Sequence, residues 1–264
     1  MNNPLRSQSP KFKVSAIVIA KNAQEIIGDA LESLKWANET IVVDTGSQDK
    51  TIEIAKKFGA KIFGIDGGSF SDWRNSGGKE ASGDWLFYLD ADERVTPLLR
   101  KEISSVVNPT SAIVNPPVAY AIPRKNIILG QFMRWGGWWP DYVIRLFYKP
   151  RFSGWQGELH EEPRFQGQLG YLKNPLIHLK HDNFEDMVEK TNEWSEIEAK
   201  LMFEAQHPPM NAIRFFSAGF REFWLRMVRH LAFLDGSKGV MYALYQVYSR
   251  LISYAKLWEM QLKT

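Results

Sequence analysis

Two carboxylates separated by one residue follow an apolar segment in the middle of the chain. Residues 85–92 read WLFYLDAD, so a buried strand would carry Asp90 and Asp92 at its carboxyl end. Side chains alternate along an extended backbone, which predicts that both carboxylates point to one side and face a single divalent cation with the diphosphate it holds. Glu93 follows as a candidate outer-shell partner. The alternative is that Asp92 only caps the next helix.

Two further apolar segments lie upstream and also end in polar residues. They are residues 14–20 and 40–43, and each is followed by apolar residues at helical spacing, in 23–36 and 51–58. Short alternation of strands and helices predicts an α/β fold with a parallel sheet, in which ligands bind beyond the carboxyl ends of the strands. The residues expected to share that crevice are Asn22, Asp44, Asp90 and Asp92.

The predicted ligand follows from the chemistry of these groups. Asn22 and Asp44 can hydrogen-bond a base or ribose, whereas carboxylates bridged by a metal can hold a diphosphate. The chain lacks the glycine-rich dinucleotide and P-loop motifs after its first strand segment, so those two nucleotide-binding modes lose their main support. The pattern therefore favours a nucleoside-diphosphate ligand.

Several segments carry a more specific pattern through their order and spacing. They are VSAIVIAKNA at 14–23, IVVDTGSQDKT at 41–51 and FSDWRNSGGKEASGDWLFYLDADE at 70–93. Together they resemble the inverting glycosyltransferases of family 2, which implies a GT-A fold: a Rossmann-like, mostly parallel sheet flanked by helices, here with a C-terminal helical extension. The branch that includes lipopolysaccharide core β-glucosyltransferases is most similar, through RLFYKPRF at 145–152, GELHE at 157–161 and AFLDGSKG at 232–239.

The resemblance implies roles for individual residues on the donor side. Asp44 would contact the base, Arg74 the base or diphosphate, and Asp90 the ribose or a metal-bound water; a surface position is the alternative for Arg74. Thr45 stands where many members have a second Asp, so the contact of that second carboxylate with uracil or ribose is not expected in this chain. The residues implied to bind the nucleotide-sugar, with UDP-sugar as the expected donor, are Asn22, Glu25, Asp44, Arg74 and Asp90.

A cation, Mg²⁺ or Mn²⁺, is implied at Asp92 and at a late histidine. His178 matches the family pattern better than His181, and a hydrogen-bonded structural histidine is the alternative for each. The lack of cysteine argues against a structural zinc site.

An inverting transfer also needs a base that takes the proton of the acceptor hydroxyl. Glu161 is the preferred candidate, because its position well past the Asp-x-Asp resembles that of the family's base. Asp141 is the second candidate and Glu162 another, and each could instead be an ordinary surface carboxylate.

The acceptor side is predicted from an aromatic segment and an arginine. Trp138 and Trp139 offer flat rings that could stack on an acceptor sugar, although tryptophan clusters also form cores. Arg145 could bind an acceptor phosphate or the donor diphosphate, with a structural salt bridge as its alternative.

The organisation changes after the late histidines. Residues 1–182 are predicted to form the catalytic GT-A domain, and residues 183–264 a helical region with helices near 184–205, 210–234 and 239–260. Residues 207–264 contain eight Lys/Arg and three Asp/Glu. The middle helix is amphipathic, with an apolar face that could contact an anionic membrane, the catalytic domain or a second subunit of a homo-oligomer. That face comprises Phe216, Phe220, Phe223, Met227 and Leu231, opposite Arg214, Arg221, Arg226 and Arg229.

Composition limits the remaining possibilities. A chain of 264 residues with 44% hydrophobic content can form a full α/β core, and the absence of cysteine excludes a disulfide framework. The first thirteen residues lack a signal-peptide pattern and no segment has the length to span a bilayer, so a cytoplasmic protein, peripheral on the cytoplasmic membrane face, is expected. A net charge of +3 without a nucleic-acid motif argues against nucleic-acid binding.

The functional prediction is a metal-dependent inverting glycosyltransferase, a hexosyltransferase. It would move a sugar from a nucleotide-diphosphate donor to a saccharide hydroxyl on a lipopolysaccharide core or another lipid-linked glycan. One alternative is a nucleotidyltransferase acting on sugar phosphates, although residues 21–23 lack the glycine-rich basic loop expected of it. The other is a non-catalytic, membrane-docked scaffold with the same fold, which the intact Asp-x-Asp disfavours.

Overall fold

Residues 11–109, 114–157, 161–181 and 183–263 are described by the computed structural model, and they form a mixed α/β structure. The strands are β1 Val14–Ala20, β2 Glu39–Asp44, β3 Lys61–Gly64, β4 Trp85–Asp90, β5 Glu93–Val95, β6 Ala119–Ile128, β7 Gln131–Phe132, β8 Asp141–Tyr148, β9 Phe152–Gln156, β10 Glu162–Phe165, β11 Leu169–Tyr171 and β12 Leu176–His181. The α-helices are α1 Ile27–Ser33, α2 Thr51–Lys57, α3 Phe70–Glu80, α4 Pro97–Val107, α5 Phe184–Glu204, α6 Ala212–Phe223 and α7 Gly236–Leu262. A π-helical segment, Trp224–Arg229, follows α6, and 3₁₀ turns lie at Lys149–Arg151 and Ala232–Asp235.

Four parallel strands form the core, in the order β3-β2-β1-β4. β1 and β4 are central and their apolar side chains are buried on both faces, which explains why both read as continuous apolar runs. Helix α3 packs closely on this sheet at Gly77, where an added Cβ would lie 2.5 Å from Cγ2 of Ile17. The predicted alternation of strands and helices is confirmed.

The sheet continues beyond β4 with mixed strand directions. β4 pairs antiparallel with β8, and the order then runs β8-β6-β12-β5. β12 pairs antiparallel with β5, so that His178 lies opposite Glu93 and Leu176 opposite Val95. β11 and β7 pair with β6, while β9 and β10 form a separate two-stranded sheet. With the C-terminal helices, this confirms the predicted fold class.

Local capping explains where two helices near the site begin. Ser69 and Asp72 form a capping box at the start of α3, each side chain accepting a hydrogen bond from the other residue's backbone. Thr96 caps α4 by accepting a hydrogen bond from the Leu99 backbone, and Pro97 occupies the first turn. Because Thr96 is the cap, the alternative that Asp92 serves only as a helix cap is wrong.

The contacts divide the chain into two units. Unit 1 covers Met1–Arg124 and Tyr142–His178, and unit 2 covers Lys125–Asp141 and Leu179–Thr264. The predicted boundary after residue 182 lies close to the second unit boundary, whereas the grouping of residues 125–141 with the C-terminal helices was not anticipated. Within the described part of the chain, no helix has the length and apolar character required to cross a membrane.

The helix predicted over residues 210–234 is shorter than expected. α6 ends at Phe223, the π-helical segment follows, and Leu231 has a left-handed backbone with φ 54°. Leu231 therefore does not belong to the apolar face of the helix, which corrects the prediction. The backbone N–H of Gly136 donates to the His230 carbonyl at 2.8 Å, so the altered backbone is held by a contact distant in sequence.

Candidate active site

Asp90, the last residue of β4, lies between two buried arginines of unit 1. Arg74 Nη2 is 2.9 Å from Asp90 Oδ1, and Arg145 binds both carboxylate oxygens. Burial by itself raises the pKa of Asp90, but the positive charges and hydrogen bonds of Arg145 and Arg74 outweigh it and hold that pKa well below its ordinary value. Asp90 is therefore an ionised, firmly positioned carboxylate.

A second buried carboxylate, Glu93, completes this network. Glu93 Oε1 lies 3.0 Å from Arg145 Nη2 and 3.7 Å from Arg124 Nη1, while its Oε2 accepts the backbone N–H of Asp90 at 3.0 Å. Arg145 is thus buried with two carboxylates as partners. These contacts favour the salt-bridge alternative for Arg145 over binding of an acceptor phosphate, because both of its terminal nitrogens already bind carboxylates.

Arg74 extends the network to Glu161. Its Nη1 forms an ion pair with Glu161 Oε1, and its guanidinium stacks 4.8 Å from the ring centroid of Trp155. Arg74 is buried on α3, so the alternative of a surface arginine is wrong. Glu161 lies at the start of a described segment, since residues 158–160 of the GELHE motif fall outside the described residues, and Glu162 is exposed at the start of β10.

Asp92 has a different partner from Asp90 and faces His178. β4 ends at Asp90, Ala91 and Asp92 form a turn, and Asp92 Oδ2 is 3.5 Å from His178 Nε2. The assumption that one extended strand carries both carboxylates is therefore wrong, because β4 ends at Asp90; that both face one cation stays a prediction. His178 reaches this position through the pairing of β12 with β5.

The donor atoms at this pair fit a hard or borderline divalent cation. One carboxylate and one imidazole leave most coordination positions for water and phosphate oxygens, as Mg²⁺ and Mn²⁺ sites in phosphate chemistry commonly do. Among the residues that the structure describes, no group of three or more His, Cys, Asp or Glu side chains is placed to hold a metal ion.

The loops after β1 and β2 hold Asn22 and Asp44 in adjoining positions. Asn22, with φ 47°, accepts the Gln48 backbone N–H at 2.8 Å and donates its own N–H to the Ser47 hydroxyl. Asp44 is buried and accepts the backbone N–H groups of Gly46 and Ser47, each at 3.2 Å. The two side chains thus shape the loops at the carboxyl edge of the sheet, as predicted for their position; their contact with a nucleotide stays a prediction.

The remaining predicted residues are Glu25, Asp141 and His181. Glu25 is exposed and accepts a hydrogen bond from Gln24 at 3.1 Å, while Asp141, in unit 2, accepts one from Asn126 at 3.0 Å. His181 also belongs to unit 2, and its ring centroid is 6.2 Å from that of Tyr242.

The two tryptophans predicted to bind acceptor lie in unit 2 and differ in their surroundings. Trp138 packs against Tyr242 with ring centroids 4.9 Å apart, and the Arg226 guanidinium lies 4.2 Å above it, which favours the core alternative. Trp139 contacts the Phe132 ring edge-to-face and also lines a cavity of about 340 Å³. The cavity is lined by Arg134, Trp135, Gly137, Trp139, Arg229 and His230. Trp139 is therefore the better placed of the two to meet a ligand.

Sequence reasoning missed two partners of the site. Arg124 belongs to the ion-pair network around Glu93, which was a candidate outer-shell partner, and Trp155 supports Arg74. The arginine that directly follows the apolar residues 119–123 was the available signal for Arg124, since a strand of this kind rarely holds a charge without a partner. Trp155 had no comparable signal.

Comparison with known proteins identifies the family of this chain. The model of the family described as "Glycosyl transferase family 2" matches residues 15–165. The lipopolysaccharide core biosynthesis glycosyltransferase LpsC of Rhizobium meliloti is 26% identical over 76% of this chain and 75% of its own length. A Rickettsia bellii protein named an uncharacterized glycosyltransferase is 26% identical over 95% of this chain and 88% of its own. The crystal structure of S. aureus TarS aligns with a TM-score of 0.46 at 14% identity, covering 93% of this chain and 54% of TarS. Because the family model covers more than half of its length, the chain belongs to glycosyl transferase family 2 and is a glycosyltransferase.

Proposed function

We propose that the protein transfers a sugar, with inversion, from a nucleoside-diphosphate donor to a saccharide hydroxyl in a metal-dependent reaction. The observation that carries this proposal is the Asp92–His178 pair beside the fixed Asp90–Arg74–Glu161 network. Both arrangements lie in unit 1, where β4 ends. They combine donor atoms suited to a cation with a positioned carboxylate suited to proton transfer.

The donor side uses side chains at the carboxyl edge of the sheet. Asn22 and Asp44 would bind the base of a UDP-sugar, and Asp92 and His178 would hold Mg²⁺ or Mn²⁺. The cation, when bound, offsets the negative charge that develops on the leaving diphosphate. Arg74, already held by Asp90, would add a second positive charge near the donor.

Glu161 is the proposed base. The acceptor oxygen attacks the anomeric carbon on the face opposite the diphosphate, the bond from that carbon to the diphosphate breaks, and the hydroxyl proton passes to the Glu161 carboxylate. Its ion pair with Arg74 orients that carboxylate. Asp141 is the second candidate, and its hydrogen bond from Asn126 likewise holds it in place.

The proposed acceptor is a saccharide of a lipopolysaccharide core or another lipid-linked glycan. Support comes from the name of LpsC, a lipopolysaccharide core biosynthesis enzyme that resembles most of this chain. Trp139, which lines a cavity together with arginine side chains, is the proposed sugar-stacking residue. Such an acceptor is anchored in a membrane, and we place the reaction at its cytoplasmic face.

The donor assignment is tested by measuring UDP binding and UDP release from a set of UDP-sugars, with Mn²⁺, Mg²⁺ or chelator. We expect metal-dependent release that falls at least about a hundredfold in Asp92→Asn, because the cation loses its carboxylate. Asp66→Asn, which alters an exposed aspartate of the same unit, is the matched control and should leave the rate unchanged. Wild-type release that is the same in chelator as with metal, or release by Asp92→Asn at the wild-type rate, would contradict the proposal. Diphosphate release from UTP and a sugar 1-phosphate would favour the nucleotidyltransferase alternative.

The base is tested separately from donor binding. Glu161→Gln should lower kcat by about 10² to 10⁴ while UDP affinity stays the same, since the base acts only on the acceptor. Glu162→Gln changes the exposed neighbouring carboxylate and should have little effect. If Asp141→Asn produced the loss and Glu161→Gln did not, Asp141 would be the base.

A further inference from the structure

Helix α6 carries its large apolar side chains on the outside of unit 2. An ordinary surface helix buries its apolar stripe and exposes its polar residues. In α6 the buried positions are instead Ala218, Gly219 and Glu222. The outward side chains and their exposed fractions are Ile213 at 82%, Phe216 at 71%, Phe220 at 65% and, in the π-helical segment, Trp224 at 52%.

Contacts on the inward side of α6 fix the orientation of this helix. A Cβ at Gly219 would lie 3.0 Å from Leu251 of α7, so only a very small residue allows this approach. Glu222 is buried beside Arg226, at 2.8 Å, and Arg250, at 4.0 Å. Rotation of α6 to bury its aromatic side chains would break these ion pairs and remove Gly219 from its close contact with Leu251. The outward aromatic side is therefore a fixed feature of unit 2.

The charges beside these aromatics are all positive. Arg214 and Arg221 are exposed and lie seven residues apart on one side of the helix, each about 100° around the axis from the apolar residue before it, so they flank the apolar row rather than lie opposite it. Arg229 is exposed at the end of the π-helical segment. Between residues 207 and 234 the sequence has one acidic residue, Glu222, and its carboxylate is buried. We name this surface the α6 face: Ile213, Phe216, Phe220 and Trp224 with Arg214 and Arg221.

We propose that the α6 face binds the surface of an anionic phospholipid bilayer. The aromatic and aliphatic side chains would enter the boundary between headgroups and acyl chains, and the arginines would meet lipid phosphates. A second copy of the chain fits this surface less well, because a symmetric contact between two α6 faces brings arginines together without acidic partners. The proposal concerns binding alone and does not depend on the transfer chemistry.

The experiment is co-sedimentation of the full chain with phosphatidylcholine vesicles that contain or lack phosphatidylglycerol, without nucleotide or metal. The wild type should bind the anionic vesicles more tightly, and added salt should weaken the binding. Phe216→Ser/Phe220→Ser should weaken it at least about tenfold. The matched control is Leu98→Ser/Leu262→Ser, which removes two exposed leucines elsewhere and should bind as the wild type does.

The contribution of charge is tested with a second matched pair of variants. Arg214→Gln/Arg221→Gln should weaken binding to anionic vesicles about thirtyfold. Arg100→Gln/Lys101→Gln changes net charge equally at exposed positions of α4 and should have a much smaller effect.

Three results would overturn the proposal. One is a wild type that does not bind anionic vesicles, and another is a loss of binding in the control variants as large as in the α6 variants. The third is a dimer of the wild type, seen by light scattering, that Phe216→Ser/Phe220→Ser converts to monomer without any change in vesicle binding. Release of UDP from free donor, measured without vesicles, should be the same in Phe216→Ser/Phe220→Ser and wild type, which separates this test from that of the transfer reaction.

Discussion

Replacing Arg145 by Met should destabilise the protein strongly. The arginine is buried between Asp90 and Glu93, and Met retains a similar unbranched apolar stem without the charge. After the change, Asp90 still has Arg74 at 2.9 Å, whereas Glu93, whose side chain has no exposed surface, loses the Arg145 cation and keeps the Asp90 backbone N–H at 3.0 Å and Arg124 at 3.7 Å. Removing one partner of a buried ion pair typically lowers the free energy of unfolding by about 3–5 kcal/mol. We expect a loss in that range.

A double-mutant cycle isolates the pair itself. Glu93→Gln alone leaves Arg145 bound to Asp90, so a smaller loss of about 1–3 kcal/mol is expected. In Arg145→Met/Glu93→Gln the buried glutamate charge is gone, and the arginine is no longer needed to balance it. The double variant should therefore lose about 1–3 kcal/mol less than the sum of the two single losses.

Urea unfolding followed by tryptophan fluorescence and circular dichroism supplies these free energies. Arg100→Met, at an exposed position of α4, is the control and should lie within about 0.5 kcal/mol of wild type. A loss below about 1 kcal/mol in Arg145→Met, or strict additivity in the cycle, would refute the argument that Arg145 compensates two buried carboxylates.

Three further predictions concern unit 1. Burial raises the pKa of Glu39, but a lysine ammonium and two serine residues hydrogen-bond its carboxylate and lower that pKa to about 2. The ionised Glu39 carboxylate therefore contributes to the free energy of unfolding above its ordinary pKa of 4.5, and this contribution is lost as pH falls towards 2. Glu39→Gln should lower the free energy of unfolding at pH 7 and approach wild type near pH 2. An equal deficit at both pH values would refute this. Gly77→Ala should lower the free energy of unfolding by about 1–3 kcal/mol, because the new methyl group meets Ile17, and an unchanged urea midpoint would argue against that packing. Ser69→Ala removes the cap of α3 and should lower the free energy of unfolding by about 1 kcal/mol. An unchanged midpoint of thermal unfolding would contradict this.

The core strands were predictable because their segments of the sequence are continuously apolar. β1 has the predicted bounds, Val14–Ala20, and β4 begins at Trp85 as expected, since strands buried on both faces need continuous apolar residues. The end of the helix after residue 210 was not predictable in the same way. Its π-helical segment and the left-handed Leu231 accompany a hydrogen bond from the distant Gly136, which no local pattern contains.

The candidate site shows the same division between local and distant information. Asp92 was chosen from the Asp-x-Asp spacing and the family resemblance, and His178 from the resemblance; the structure places them 3.5 Å apart. The argument from alternation failed because it assumed a strand running through Asp92, whereas β4 ends at Asp90. The pairing of Arg145 with Glu93 joins residues 52 positions apart, and ion pairs of that separation cannot be read from spacing.

The antiparallel pairing of β12 with β5 has a consequence for the order of events during synthesis. The parallel strands β1 to β4 are all present once residue 90 has been translated, but His178 is added 88 residues later. At typical translation rates this delay is about 4–18 seconds. A nascent chain would therefore contain the four parallel strands before His178 is made, so the proposed cation site at Asp92 and His178 would be completed later in biosynthesis than the strands that support it.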